Sequence, residues 1–235
     1  MLMKHALAIV SLHCAAFAAL AQNFPLEALP AGAAAHDVVA STAQIGSRKA
    51  VRIELSEEAL RPSLLGRLRY VDEPTHLALP IDFKDGIIKV DLFGKLNGKG
   101  SPEARTFIGI AFRTSPDHKS FEAVYFRPTN GRKAQPGSPR DKRAVQYFSY
   151  PDWKFDRLRK DFPDGRYESG ADIIDNEWFT ARLEIEGASV KVYVNDKLEL
   201  VVNDMRLGNA RQGGIGLWVD IGTEGYFSNL QVLKK

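Results

Sequence analysis

Phe107-Ile108-Gly109-Ile110-Ala111-Phe112-Arg113 decides the fold class. Ile108, Ile110 and Phe112 fall on one side, with Phe107, Gly109, Ala111 and Arg113 on the other, the period of two that a strand imposes. Gly214-Ile215-Gly216-Leu217-Trp218-Val219-Asp220 separates in the same way. Its Ile215, Leu217 and Val219 are expected in a core, leaving Gly214, Gly216, Trp218 and Asp220 outside. Outward from these two, short apolar runs set off by turn residues recur at 40–45, 50–55, 75–79, 86–93, 121–127, 144–149, 178–186, 190–194, 198–202 and 226–233. Many are rich in Val, Ile, Phe and Tyr, and Asn195-Asp196 between two of them is a hairpin signal. Helical periodicity is confined to 56–65 and 153–162, and no phosphate-loop or dinucleotide fingerprint occurs. The pattern predicts an all-β fold, a two-sheet antiparallel sandwich of the jelly-roll kind.

The 235 residues, 44% hydrophobic and 26% charged, suit one large sandwich with a full core. Residues 1–21 read as an export signal: Lys4, an apolar run over 6–20, and the small-x-small site Ala19-Leu20-Ala21. The run is too short for a membrane span, so no membrane anchor is expected after cleavage and the protein is expected to be exported, periplasmic or extracellular. Residues 22–40 read as a loose lead-in and 41–235 as the sandwich domain. Cys14, the only cysteine, lies in the leader, so disulfides, thiolate catalysis and cysteine-bound zinc are excluded after cleavage. A net charge of +3 gives no case for nucleic acid. His36, His76 and His118 lack ligand spacing and are expected at the surface, and no loop signature for calcium occurs, so neither a metal nor a cofactor is expected.

The stretch 128–176 departs from the sheets. It holds Pro128, Pro136, Pro139, Pro151 and Pro163, and its bases, including Arg132, Arg140, Arg143, Arg157, Arg159 and Arg166, outnumber its acids. Its aromatic residues, including Tyr147, Tyr150, Trp153 and Phe155, argue against disorder. The stretch reads either as a solvated loop pairing its own charges or as a lid over a site for polar or anionic sugar groups.

The outward faces suggest where that site lies. Trp218 beside small residues and Asp220 makes a stacking platform, unless the loop covers that face and Trp218 belongs to the core. Arg113, Arg127, Gln146 and Tyr150 are the hydrogen-bonding candidates of such a groove, and Tyr125 and Trp153 add aromatic surface. Glu122, Glu168 and Asp220 are the candidate catalytic carboxylates, since glycoside hydrolysis uses a pair. The Glu-x-Asp-x-x-Glu triad of laminarinase-type glycosidases is absent.

The strands at 107–113, 121–127 and 144–149, with Gly213-Gly214-Ile215-Gly216-Leu217-Trp218 and Tyr226-Phe227-Ser228-Asn229-Leu230, resemble concanavalin A-like lectin/glucanase (laminin-G-like) domains. Among these the chain is most similar to the bacterial 3-keto-disaccharide hydrolase domain. The resemblance implies a jelly roll and a carbohydrate ligand or glycosidase activity. The chain departs from that family at Thr106-Phe107-Ile108-Gly109, where the family carries Asn-Ser-Gly, and by placing Glu122 and Gln146 on separate strands. Three readings stay open: a carbohydrate-recognising domain, a glycoside hydrolase of the 3-keto-glycoside type, and a structural or protein-interaction module.

Overall fold

A computed structural model describes residues 21–64, 72–100, 102–209 and 211–235. Two antiparallel sheets face one another. The first runs β13 (Lys197–Val202), β12 (Ser189–Val194), β11 (Phe179–Glu186), β6 (Gly86–Leu96), β15 (Thr223–Lys234), β4 (Arg48–Leu55) and β3 (Val38–Ile45), with β1 (Ala21–Phe24) also on β15. The second runs β10 (Glu168–Ser169), β9 (Val145–Tyr150), β8 (Phe121–Phe126), β7 (Ile108–Thr114), β14 (Gly213–Val219), β5 (His76–Phe83) and β2 (Ala34–His36). The helices are α1 (Glu57–Leu64) and α2 (Phe155–Asp161), both within the stretches where periodicity predicts them. The fold is the expected jelly-roll sandwich.

Register explains the core. Ile108 lies opposite Phe126 on β8 and Val219 on β14, and Ile110 opposite Val124 and Leu217. A Cβ added to Gly225 of β15 meets Val219 and Ile108, so this face is turned toward the other sheet. All six side chains are fully buried or nearly so, each contributing about 1.5–3 kcal/mol by leaving water.

Residues 22–40 are not the loose lead-in that the sequence suggests. β15 runs past the end of β4: β4 pairs with its residues 224–227, and β1 takes up its residues 230–233. The backbone groups left open by β4 thus find partners, which outweighs the weak strand propensity of the segment. The export-signal reading of residues 1–21 lies, Ala21 apart, outside the described residues. Among the described residues no helix is long and apolar enough to cross a membrane.

Candidate functional site

One row of residues crosses the outward face of the second sheet, one from every strand. Successive registers place His36 beside His76, then Trp218, Gly109, Tyr125, Gln146 and Glu168. Gly109 is required there, because a Cβ would come within 2.6 Å of the Cα and Cβ of Tyr125. The gap it leaves draws the large rings together, with Tyr125 and Trp218 5.0 Å apart between centroids.

The middle of the row is covered. Trp218 donates its indole N–H to the Glu73 carbonyl at 2.7 Å, and the Phe155 N–H at the start of α2 donates to Asp72 Oδ2 at 2.7 Å. Trp218, Tyr125 and Gln146 consequently have no exposed surface. Of the two readings of this face, the open stacking platform is ruled out and the covered one holds, the face being sealed by residues 72–75 and by α2 of the 128–176 stretch. Gln146 spends its amide on the carbonyls of Tyr147 and Tyr167, at 2.7 and 3.2 Å.

Beneath the cover lie two carboxyl groups. Asp220 accepts from the Asp72 N–H at 2.7 Å and the Ile221 N–H at 2.6 Å. Burial pushes the Asp72 carboxyl up to about 6. Burial, and then the neighbouring Asp72, push that of Asp220 well above the usual range. Asp72 Oδ1 has no hydrogen-bond partner.

At one end of the row stand three histidines. His36 and His118 stack with centroids 3.5 Å apart, and His76 Nε2 lies 3.1 Å from His118 Nδ1. Desolvation lowers all three pKa values, that of His76 to about 3. The expectation of three separate surface histidines is corrected: β2, β5 and the turn before β8 bring them together, and His76 is fully buried. Among the described residues no group of three potential ligands is arranged to hold a metal ion.

At the other end the face opens into a cleft of about 370 Å³. Arg105, Arg127, Arg140, Arg143 and Arg159 surround it, with Phe107 and Phe155 as apolar wall and Asn130 and Glu103 as the other polar lining. Arg127 is buried, its guanidinium donating to the Arg143 carbonyl at 3.0 Å and to the Tyr125 hydroxyl. Glu168 holds Arg159 through two oxygens and lies 3.7 Å from Arg143 and 3.8 Å from Arg127. Asn130 Oδ1 is buried without a hydrogen-bond partner.

Of the residues proposed from sequence, Arg127 lines the cleft, Glu168 clamps three of its arginines, and Tyr125, Gln146, Trp218 and Asp220 lie under the cover beside it. Tyr150 and Trp153 are half-buried in and just after β9, and Arg157 packs over the Trp153 ring at 3.9 Å. Two candidates belong elsewhere. Arg113 is bound to the Lys84, Gly187 and Gly208 carbonyls and to Asp85, a bolt at the sandwich end rather than a ligand group. Glu122 pairs in register with Phe112 and Ser149 and so points to the face between the sheets. There it accepts from the Leu207 N–H at 2.7 Å and from Tyr147, and burial pushes it up to about 7. Sequence reading missed Asp72 and Asn130, which stand in turns with no pattern around them. The excess of bases over 131–166 was the available signal for Arg140, Arg143 and Arg159.

No family model and no curated protein matches this chain. Solved structures do. The carbohydrate-binding module CBM66 from Bacillus subtilis superposes with a TM-score of 0.51 at 14% identity, covering 84% of this chain and 96% of that one. A Bacillus subtilis protein of unknown function with a galectin-like fold gives 0.53 at 10%, covering 93% and 98%. A candidate glycosyl hydrolase from Parabacteroides distasonis gives 0.54 at 11%, covering 91% and 100%. At such identities the shared property is the concanavalin A-like fold.

Proposed function

We propose that this concanavalin A-like jelly roll recognises carbohydrate, and that the sugar sits in the arginine-lined cleft at the end of its covered sheet face. The observation that carries the reading is the lining itself. The half-buried Phe155 ring offers surface for the C–H face of a sugar, while the guanidinium groups that border the cleft offer partners for its hydroxyls. The fold supports the same reading, since one structure it matches is a carbohydrate-binding module. The chain is read as an exported protein, and recovery of mature protein beginning at Gln22 tests that part.

A glycan array probed with the chain from Gln22 tests recognition. Binding to at least one glycan, weakened about tenfold or more by Phe155→Ala, is expected. An array with no positive member overturns the reading.

A hydrolytic version rests on one observation, the Asp72 carboxyl pushed up to about 6 close to the cleft, a value suited to a general acid near neutrality. It requires the cover to shift, because Asp72 and Asp220 have no exposed surface. Incubation with glycosides and 3-keto-glycosides, followed by mass spectrometry, decides it. Product that vanishes in Asp72→Asn supports hydrolysis; no product from any member leaves recognition alone.

A further inference from the structure

We infer that the sugar taken by this cleft is acidic: a glycan bearing carboxylate or sulfate groups. The inference rests on the recognition reading above and specifies its ligand class. Five guanidinium groups border the cleft, and the carboxylates near enough to pair with them are Glu103 and Glu168. Glu103 lies 2.7 Å from Arg105, and Glu168 is shared among Arg127, Arg143 and Arg159. Arg140 has no carboxylate within ion-pair distance among the described residues, and its side chain reaches the cleft from the short helical turn Pro139–Arg143. Guanidinium groups stay protonated at any physiological pH, so this excess positive charge cannot be relieved by losing protons. An anion entering the cleft meets this excess charge, and the planar fork of Arg matches a carboxylate or sulfate in paired hydrogen bonds.

A second, independent observation concerns the polar side of the same ligand. Asn130 is 5% exposed, its Nδ2 is directed to the Arg143 carbonyl at 3.4 Å, and its Oδ1 meets no donor in the protein. A buried acceptor left empty costs free energy, and the residue that carries it borders a cleft that already collects cations. A sulfate or carboxylate group alone has no proton for it. An acidic sugar supplies both halves, an anionic group for the arginines and a hydroxyl for Asn130, with the half-buried Phe155 against its apolar face.

The test begins with a pair of polysaccharides that differ chiefly in charge and widens to other acidic and neutral ones. The chain from Gln22 is titrated with polygalacturonate and with its fully methyl-esterified form, then with alginate, chondroitin sulfate, levan and laminarin. A single-stranded oligonucleotide serves as phosphate control. Binding to a carboxylated or sulfated member is expected to exceed that to the neutral ones about tenfold or more, and to weaken as salt rises from about 0.05 to about 0.5 M. Comparison of the uronates with chondroitin sulfate shows which acidic group is preferred. Arg140→Gln, at an exposed position, is expected to lower affinity for the acidic member about tenfold with unchanged thermal unfolding. Equal or stronger binding of neutral glycans overturns the acidic inference and leaves recognition standing. Binding of the oligonucleotide as tight as that of any glycan overturns the inference as a phosphate site. No binding to any glycan overturns both readings.

Discussion

The two ends of the row that crosses the second sheet carry basic side chains, yet the fold treats them in opposite ways. At the β2 and β5 end, His36, His76 and His118 crowd to within 5.3 Å of one another between centroids, and desolvation lowers the proton affinity of each. At the β9 and β10 end, arginines surround an open cleft and keep theirs. The difference lies in proton affinity. Imidazole releases its proton near neutrality, so desolvation is met by neutralisation and packing. Guanidinium does not, so its desolvation is met by counter-charge, by backbone carbonyls or by staying in contact with water. One end packs three rings together with His76 sealed beneath His36 and His118, and the other keeps an open arginine-lined cleft.

Trp218 stands between the two ends, against His76 on one side and Tyr125 on the other. Trp218→Ala is expected to cost about 3–5 kcal/mol of stability, read as a fall in urea midpoint, because a fully buried indole leaves a cavity. A loss below about 1 kcal/mol would show that the row is not a continuous packed unit. Arg127→Met tests the buried arginine, with an expected loss of about 1–3 kcal/mol as the Tyr125 hydroxyl and the Arg143 carbonyl lose their donor. If denaturant titration finds it as stable as the parent, Arg127 is not held as described.

Two pH experiments set the histidine end against the buried acids. The depressed His76 value means stability present above its ordinary 6.5 and lost as pH falls toward about 3. The slope it contributes there is at most about 1.4 kcal/mol per pH unit. His76→Phe is expected to flatten that limb, and an unchanged slope would show that another group sets it. Glu122 carries the opposite sign. Its raised value means stability present below about 4.5 and lost as pH rises through about 7. Glu122→Gln should therefore gain on the parent as pH climbs through that window, measured as the difference between their unfolding curves. The smallest effect is expected at Arg157→Ala, about 0.5–1 kcal/mol for losing the contact with Trp153 near the cleft, read as a small shift in thermal midpoint.

Much of the sandwich was legible because successive side chains of a strand point to opposite faces, and Ile108, Ile110 and Phe112, like Ile215, Leu217 and Val219, recur at that period. The site was legible only in fragments. Arg127, Gln146 and Glu168 were named as separate candidates, but their meeting depends on which strand lies beside which, and the β10–β9–β8 order is not written in any local pattern. Glu122 was misread because both faces of 121–126 are apolar, so parity could not say which side was inside.

The sequence by itself determined that the chain forms a large antiparallel sandwich, where most of its strands run and that 128–176 is basic and aromatic, because alternation and composition are local properties. That β9 and β10 return this stretch to the second sheet was not read as a whole. Only the tertiary structure decided that Trp218 is sealed rather than exposed, that Arg113 and Glu122 serve the framework, and that three distant histidines touch. Those facts follow from register between strands far apart in the chain and from a cover folding back over the sheet. Burial, and with it the charge state of every group in the row, is set by neighbours that a single stretch of sequence does not contain.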